Sequence, residues 1–280
     1  MKKVAVFGAG VMGSGIAYLC AWKGYGVSVA EISDELLERG IERIKAIIAS
    51  GLKQGKLTPE EARDVLTRIK GTTDVFEAVK DASIVIEAIS EDVDAKKKLF
   101  KHLDSLCPPN VIFASNTSAL SINEMSTATK RPDKFIGLHF FNPAYAMKLV
   151  EIIAAKQTSE ETKRTAIDFA VSLGKQAVMA KDTPGFIVNR ILSAALSESI
   201  LLLQEEAASA EDIDKAVTLG LNWPMGPLKL ADFAGLDVVL DVNRTIYKAL
   251  GKKYMPPSML EEKVKAGHLG VKTRKGFYDY

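Results

Sequence analysis

Cysteine and histidine are scarce: the 280-residue chain has two of the first and three of the second. Cys20 and Cys107 make no CxxC pattern, and two thiols cannot build a disulfide framework. The expectation is two reduced, mostly buried thiols in a cytosolic protein. His102, His139 and His268 lie far apart with no HExxH pair on a helical face, so no structural zinc is expected. Aromatic residues are 7% of the chain, too few for a stacking platform. The formal net charge is only +2, so no charge of one sign points to nucleic acid or another polyanion as partner. A long uninterrupted apolar run is also missing. Val4 to Trp22 follows Lys2 and Lys3 in the manner of a signal peptide or a short membrane span. It is broken by Gly8, Gly10, Gly13 and Gly15 and runs on into alternating structure with no cleavage-like break. The final Tyr278-Asp279-Tyr280 is not a peroxisomal address. The default location is the cytoplasm, with no membrane as partner.

What is present is an ordinary globular composition, 47% apolar and 26% charged, in a chain long enough for two domains or one large one. Lys2 to Gly8 reads as a strand buried on both faces, Met12 to Lys23 as a helix and Gly26 to Glu31 as a second strand. That β-α-β unit seeds a doubly wound sheet. Ser33 caps an amphipathic helix to about Ser50, with Leu36, Leu37, Ile41, Ile44, Ile47 and Ile48 at helical spacing. Thr58-Pro59-Glu60-Glu61 is a capping box opening another helix to about Ile69, so the two form an inserted αα-hairpin. Thr72-Thr73-Asp74 starts another strand-helix passage. Strands are expected at 83–89, 111–114, 135–140, 149–153 and 176–180, and helices at 92–106 and 158–173. Beyond Asp182-Thr183-Pro184-Gly185 strand signals fade. A long apolar helix over 186–205 and shorter ones at 211–219, 227–233, 237–250 and 258–266 make an all-helical domain. The expected division is an α/β domain of residues 1–182 and a helical domain of 183–280.

Gly8-Ala9-Gly10-Val11-Met12-Gly13 is GxGxxG. Alone the pattern is weak, but here a strand precedes it and a helix and a second strand follow. Gly8 permits the tight turn, Gly10 lets the backbone approach a pyrophosphate, and Gly13 allows close helix–strand contact. The free N–H groups of the helix start, around Val11 and Met12, face the phosphates. Glu31 ends the second strand. A carboxylate there accepts hydrogen bonds from the adenine ribose and repels a 2′-phosphate, and the neighbouring Ala30 and Ile32 provide no Arg. NAD is favoured over NADP.

Three polar groups stand out against apolar surroundings. His139 closes the strand Ile136-Gly137-Leu138-His139-Phe140, and Glu151 lies within Lys148-Leu149-Val150-Glu151-Ile152-Ile153. On neighbouring strands they can pair, and the carboxylate would orient the imidazole. A structural ion pair and a catalytic pair both fit the residues alone. Ser115-Asn116-Thr117-Ser118 follows a strand terminus; it is either a polar turn capping a short helix or part of a ligand site at the carboxyl end of the sheet. Asn189 sits inside the apolar run that follows Pro184, where it needs a polar partner or caps a neighbouring loop.

Taken together, GAGVMGSGIA, ASNTSAL, GLHFFNPA with MKLVEII, DTPGFIVNRIL, WPMGP and GVKTRKGFYDY resemble, in this order, the L-3-hydroxyacyl-CoA dehydrogenase family. The resemblance runs from Lys3 to the C-terminus and is strongest to the bacterial 3-hydroxybutyryl-CoA branch. It implies a Rossmann-type domain followed by a helical domain that dimerises. It also implies NAD-dependent, reversible oxidation of a short-chain (S)-3-hydroxyacyl-CoA in fatty acid and butanoate metabolism. His139 would be the general base and Glu151 its partner, with Ser118 and Asn189 bonded to the substrate oxygen. Glu31, Glu91, Lys96, Ser118, Asn142 and Lys272 match the family's cofactor contacts. The hairpin would cradle the CoA, with Lys53 and Lys56 near its phosphate or pantetheine. The chain departs from the family in reading Thr117-Ser118-Ala119 where a second serine is common. It also reads Ala144-Tyr145-Ala146 where small apolar residues and proline are usual, so Tyr145 would narrow or reshape the acyl pocket.

Rival readings are a dehydrogenase of the 3-hydroxyisobutyrate/6-phosphogluconate group, a relative acting on a free hydroxy acid or sugar acid, and a non-catalytic NAD-binding protein. The first relies on a catalytic lysine in place of the His139/Glu151 pair. The second would bind CoA weakly, and the third would yield no NADH.

Overall fold

Short β-branched runs alternate with amphipathic stretches, and in a computed structural model describing residues 3–280 they become the strands and helices of two units that divide after Thr183. The first unit begins with β1 (Lys3–Phe7), α1 (Val11–Trp22) and β2 (Gly26–Ala30). Lys2, expected to start β1, lies outside the described residues. The hairpin follows as α2 (Asp34–Lys53) and α3 (Pro59–Arg68), and then come β3 (Ile69–Thr72), α4 (Val75–Val79), β4 (Ala82–Glu87) and α5 (Val93–Leu106). The unit closes with β5 (Ile112–Ser115), α6 (Ile122–Ser126), β6 (Phe135–Phe140), β7 (Leu149–Ala154), α7 (Glu160–Ser172) and β8 (Gln176–Lys181).

The eight strands form one sheet in the order β3-β2-β1-β4-β5-β6-β7-β8. The order reverses at β1, so the crevice beyond the carboxyl ends of β1 and β4 is a topological switch point, the usual ligand position in such sheets. Every pair is parallel except β6 with β7. That reversal has its physical cause in the link over residues 141–148, shorter than the dozen or so residues a parallel crossover needs. The strand β3 also lies earlier than expected, starting at Ile69 where the sequence places the start of a strand-helix passage at Thr72. Ile69-Lys70-Gly71-Thr72 carries no apolar run, because it is an edge strand whose middle residues are exposed.

Val4, Val6, Ile84 and Ile86 from the sheet pack with Ile16, Leu19, Ile44 and Ile48 from α1 and α2. Burying each such side chain contributes roughly 1.5–3 kcal/mol. The capping box forms as expected: the Thr58 hydroxyl accepts from the Glu61 amide at 3.2 Å and the Thr58 amide donates to Glu61 Oε2 at 2.8 Å. Both cysteines are buried, and burial pushes the Cys20 thiol up to about 12.

The second unit is helical: α8 (Val188–Gln204), α9 (Ala210–Gly220), α10 (Pro227–Ala234), α11 (Leu236–Leu250) and α12 (Ser258–Lys265). Leu196, Ile200, Ile213, Leu228, Leu236 and Leu240 fill its core. Buried Asp232 accepts from the Phe277 and Tyr278 amides, each at 2.9 Å, which ties the chain terminus to α10. None of the described helices is long and apolar enough to cross a membrane.

Candidate active site

The glycine turn between β1 and α1 is shaped for close approach. Gly8 has φ +93°, and a Cβ on Gly13 would lie 1.8 Å from the Gly8 carbonyl oxygen, so helix and strand can meet only if both positions lack side chains. A Cβ on Gly10 would meet nothing within 4 Å, which leaves open space above the first amides of α1. Beside the turn is a cavity of about 810 Å³ lined by Gly8, Gly10, Glu31, Ile32, Leu36, Val75 and Leu99 among others. Apolar walls, a carboxylate at one edge and exposed amides at a helix start suit an adenosine and its pyrophosphate.

Glu31 follows β2 at the rim of this cavity and takes the Ala9 amide on Oε1 at 2.6 Å and the Ile32 amide on Oε2 at 3.2 Å. No Arg lines the cavity. Arg43, which α2 brings close to the turn, donates to the Ala9 carbonyl at 3.1 Å.

His139 and Glu151 come from β6 and β7, directly opposite in the antiparallel register. Glu151 Oε2 lies 2.7 Å from His139 Nδ1, and both side chains are almost wholly buried. The Phe141 ring lies against the imidazole, centroids 4.4 Å apart. With a carboxylate accepting at Nδ1, the neutral ring carries its proton there, and Nε2 is the nitrogen with the lone pair.

The Ser115–Ser118 turn is built into the same floor. The Asn116 amide donates to the Glu87 carbonyl at 2.8 Å, and Asn116 Oδ1 accepts from the Phe140 amide at 2.9 Å. The turn is thereby tied to the residue after His139. Glu91 Oε1 accepts from the Ser118 amide at 2.6 Å, Thr117 Oγ1 at 2.7 Å and Ser118 Oγ at 2.9 Å. Burial acts to raise the Glu91 carboxyl, but the Lys96 charge and the bonds from Ser118 and Thr117 outweigh it and hold it below its ordinary value.

Lys96, in the first turn of α5, is completely buried. Its ammonium is 2.6 Å from Glu87 Oε1 and 3.1 Å from Glu91 Oε2. Glu87 ends β4, is equally buried, and also takes Ser115 Oγ at 2.5 Å and the Ile89 amide at 2.7 Å. Burial pushes its carboxyl up, against the Lys96 charge and these hydrogen bonds. Removing one partner of such a buried ion pair costs about 3–5 kcal/mol.

The first unit therefore groups the expected residues in three sets: Gly8, Gly10, Gly13 and Glu31; His139 and Glu151; and Glu91, Lys96 and Ser118. Asn142 follows β6 at a cis bond to Pro143. Lys53 ends α2 and Lys56 lies in the hairpin turn, both exposed. In the second unit Asn189 lies in the first turn of α8, and Lys272 pairs with Asp237 at 2.5 Å. One residue went unremarked in the sequence, Glu87, while Asn116 was singled out only as a member of the Ser115–Ser118 turn, without a role of its own. The signal for Glu87 was available: a lone carboxylate in Ser83-Ile84-Val85-Ile86-Glu87-Ala88-Ile89 is as costly to bury as Glu151 in its strand.

The two units match family models described as 3-hydroxyacyl-CoA dehydrogenase, NAD binding domain, over residues 3–183, and 3-hydroxyacyl-CoA dehydrogenase, C-terminal domain, over residues 185–280. The chain is 45% identical to a probable 3-hydroxybutyryl-CoA dehydrogenase of Bacillus subtilis, covering 100% of this chain and 98% of that one. It is 42% identical to 3-hydroxybutyryl-CoA dehydrogenase of Clostridioides difficile, covering 99% of each. Among solved structures, (S)-3-hydroxybutyryl-CoA dehydrogenase from Ralstonia eutropha superposes with a TM-score of 0.96 at 42% identity, over 100% of this chain and 99% of that one.

Proposed function

The chain belongs to the 3-hydroxyacyl-CoA dehydrogenase family, a family of NAD-dependent oxidoreductases, and from that premise we propose that it interconverts a short-chain (S)-3-hydroxyacyl-CoA, of the size of 3-hydroxybutyryl-CoA, with the 3-oxoacyl-CoA. The observation that carries this reading is the buried His139–Glu151 pair at the carboxyl end of β6, beside the Ser118 turn. NAD, when bound, supplies the acceptor for the hydride leaving carbon 3.

The protein's share is the proton and the placement of the oxygen. His139 Nε2 takes the hydroxyl proton, and Glu151 keeps the ring in the correct tautomer and stabilises the imidazolium that forms. In the reverse direction the imidazolium returns that proton to the 3-oxo oxygen. Ser118 and Asn189 hydrogen-bond the reacting oxygen. The turn from Gly8 to Gly13 holds the pyrophosphate and Glu31 the adenine ribose, while Glu91, Lys96, Ser118, Asn142 and Lys272 serve the rest of the cofactor. Lys53 and Lys56, exposed at the end of the hairpin, suit the anionic part of CoA.

Residues 1–182 act as the NAD-binding domain and 183–280 as the substrate and dimerisation domain. The helical unit exposes Ile191, Leu219, Leu221 and Phe233, each more than 60% accessible, and these suit a homodimer interface. The proposed location is the cytoplasm. The test is NADH oxidation with acetoacetyl-CoA and, separately, with free acetoacetate. Turnover of the thioester with little of the free acid is expected; the opposite preference would replace the CoA reading with the free-acid one.

A further inference from the structure

We propose that Glu87 is a positioning residue for this reaction, fixing Glu91 through Lys96 and so setting the axis about which the Ser118 hydroxyl turns toward the substrate oxygen. The inference rests on the reading of Ser118 as a substrate contact.

Glu87 has no route to solvent. It sits in register with Phe7 on one side and Ser115 on the other, in the middle of the sheet. An apolar residue of similar volume would pack there at no desolvation cost, so packing does not explain a carboxylate. What the charge adds is a fixed place for Lys96. The lysine has four rotatable carbons and two acidic partners, of which Glu91 is 41% exposed and Glu87 fully buried. Without Glu87 the ammonium has only Glu91 and the more distant Ile89 carbonyl, at 3.5 Å, to hold it. Lysine and Glu91 would then be free to move outward together, toward solvent.

The consequence reaches Ser118 through the two oxygens of Glu91. Oε2 faces Lys96, and Oε1 accepts three hydrogen bonds. Two of these, from the Ser118 amide and Thr117 Oγ1, hold the turn itself. The third, from Ser118 Oγ, breaks by simple rotation about the serine side chain. Turned to Glu91, the hydroxyl donates to the carboxylate. Turned away, it donates to the reacting oxygen, whose own proton in the alcohol goes to His139. A hydroxyl carries one proton, so it serves one acceptor at a time, and the position of Glu91 sets how readily it turns to the substrate.

A double-mutant cycle tests this. Turnover of acetoacetyl-CoA with NADH is measured for wild type, Glu87→Gln, Ser118→Ala and the double variant, with Tm for each. Glu87→Gln is expected to lower kcat roughly tenfold in the presence of Ser118 and by less than about twofold in its absence. Its effect on Tm should be the same in both backgrounds. An unchanged kcat in Glu87→Gln, or an equal fold-loss in both backgrounds, overturns the proposal and leaves Glu87 a structural residue. If Glu87→Gln does not fold, the paired Glu87→Leu/Lys96→Met replacement removes both buried charges, and the same cycle applies to it. A wild type that does not turn over acetoacetyl-CoA overturns the functional reading itself, a result distinct from a cycle that is merely additive.

Discussion

His139 and Glu151 face each other across the one antiparallel pair in the sheet, with Nδ1 and Oε2 2.7 Å apart. The chain reverses between them, and the reversal leaves their side chains on the same face at the mouth of the sheet. A parallel crossover would have carried Glu151 to the opposite end of its strand.

The first prediction follows from that pairing. His139→Gln should lower kcat by roughly 10²–10⁴-fold, the range expected for loss of a general base. NADH affinity, read by nicotinamide fluorescence, should change little, because the glycine turn lies on other strands. Near-normal turnover would return the pair to a structural role.

Cofactor choice is the second. Glu31 stands at the rim of the adenosine-sized cavity, and Arg43 is held by the Ala9 carbonyl. NAD(H) should exceed NADP(H) in kcat/KM by at least about tenfold, about 1.4 kcal/mol. Glu31→Ser should narrow the gap by removing the charge that repels a 2′-phosphate. Equal kcat/KM values for the two cofactors in wild type would refute this.

The third concerns acid. Glu91 is held below its ordinary carboxylate value, so its contribution to stability is present above that value, about 4.3, and lost as the pH falls through the lower folded value. The Tm advantage of wild type over Glu91→Gln should therefore be larger at pH 6 than at pH 3.5. A constant difference across that range would show that the Glu91 charge does not act in the fold.

Assembly provides the fourth. If the exposed Ile191, Leu219, Leu221 and Phe233 form a homodimer surface, light scattering at micromolar concentration should give twice the chain mass. Phe233→Glu should shift that mass toward the monomer. A monomeric wild type would count against the interface.

The fifth concerns acyl length. The Tyr145 ring stands edge-on to Tyr18 of α1, centroids 5.6 Å apart, and is 36% exposed. If it narrows the acyl pocket, Tyr145→Ala should raise kcat/KM for six-carbon over four-carbon 3-oxoacyl-CoA. The same ratio in both enzymes would place Tyr145 outside the pocket.

Local signals made much of this protein legible. The turn of Gly8, Gly10 and Gly13 is a short-range backbone requirement, visible wherever a strand precedes it and a helix follows. The Thr58 capping box and the change of pattern after Asp182 are likewise written within a few neighbouring residues. The edge strand β3 was hidden because an exposed Lys70-Gly71 has no apolar alternation to betray it. The lone carboxylate of Glu87 is visible in its apolar strand, but its partners are not: Lys96 and Ser115 stand on a different helix and a different strand, and a carboxylate in a strand does not announce whom it meets.

The order of residues alone thus determined the α/β unit, the helical unit and the types of side chain available at the sheet's mouth, since those depend on periodicity and on which backbone a glycine permits. Only the tertiary structure decided the register that sets Glu151 opposite His139, that Asn116 bonds the residue beside His139, and that one buried ammonium lies between Glu87 and Glu91. These depend on strand direction and register, which bring residues distant in the chain within hydrogen-bond reach and settle where a buried charge finds its partner.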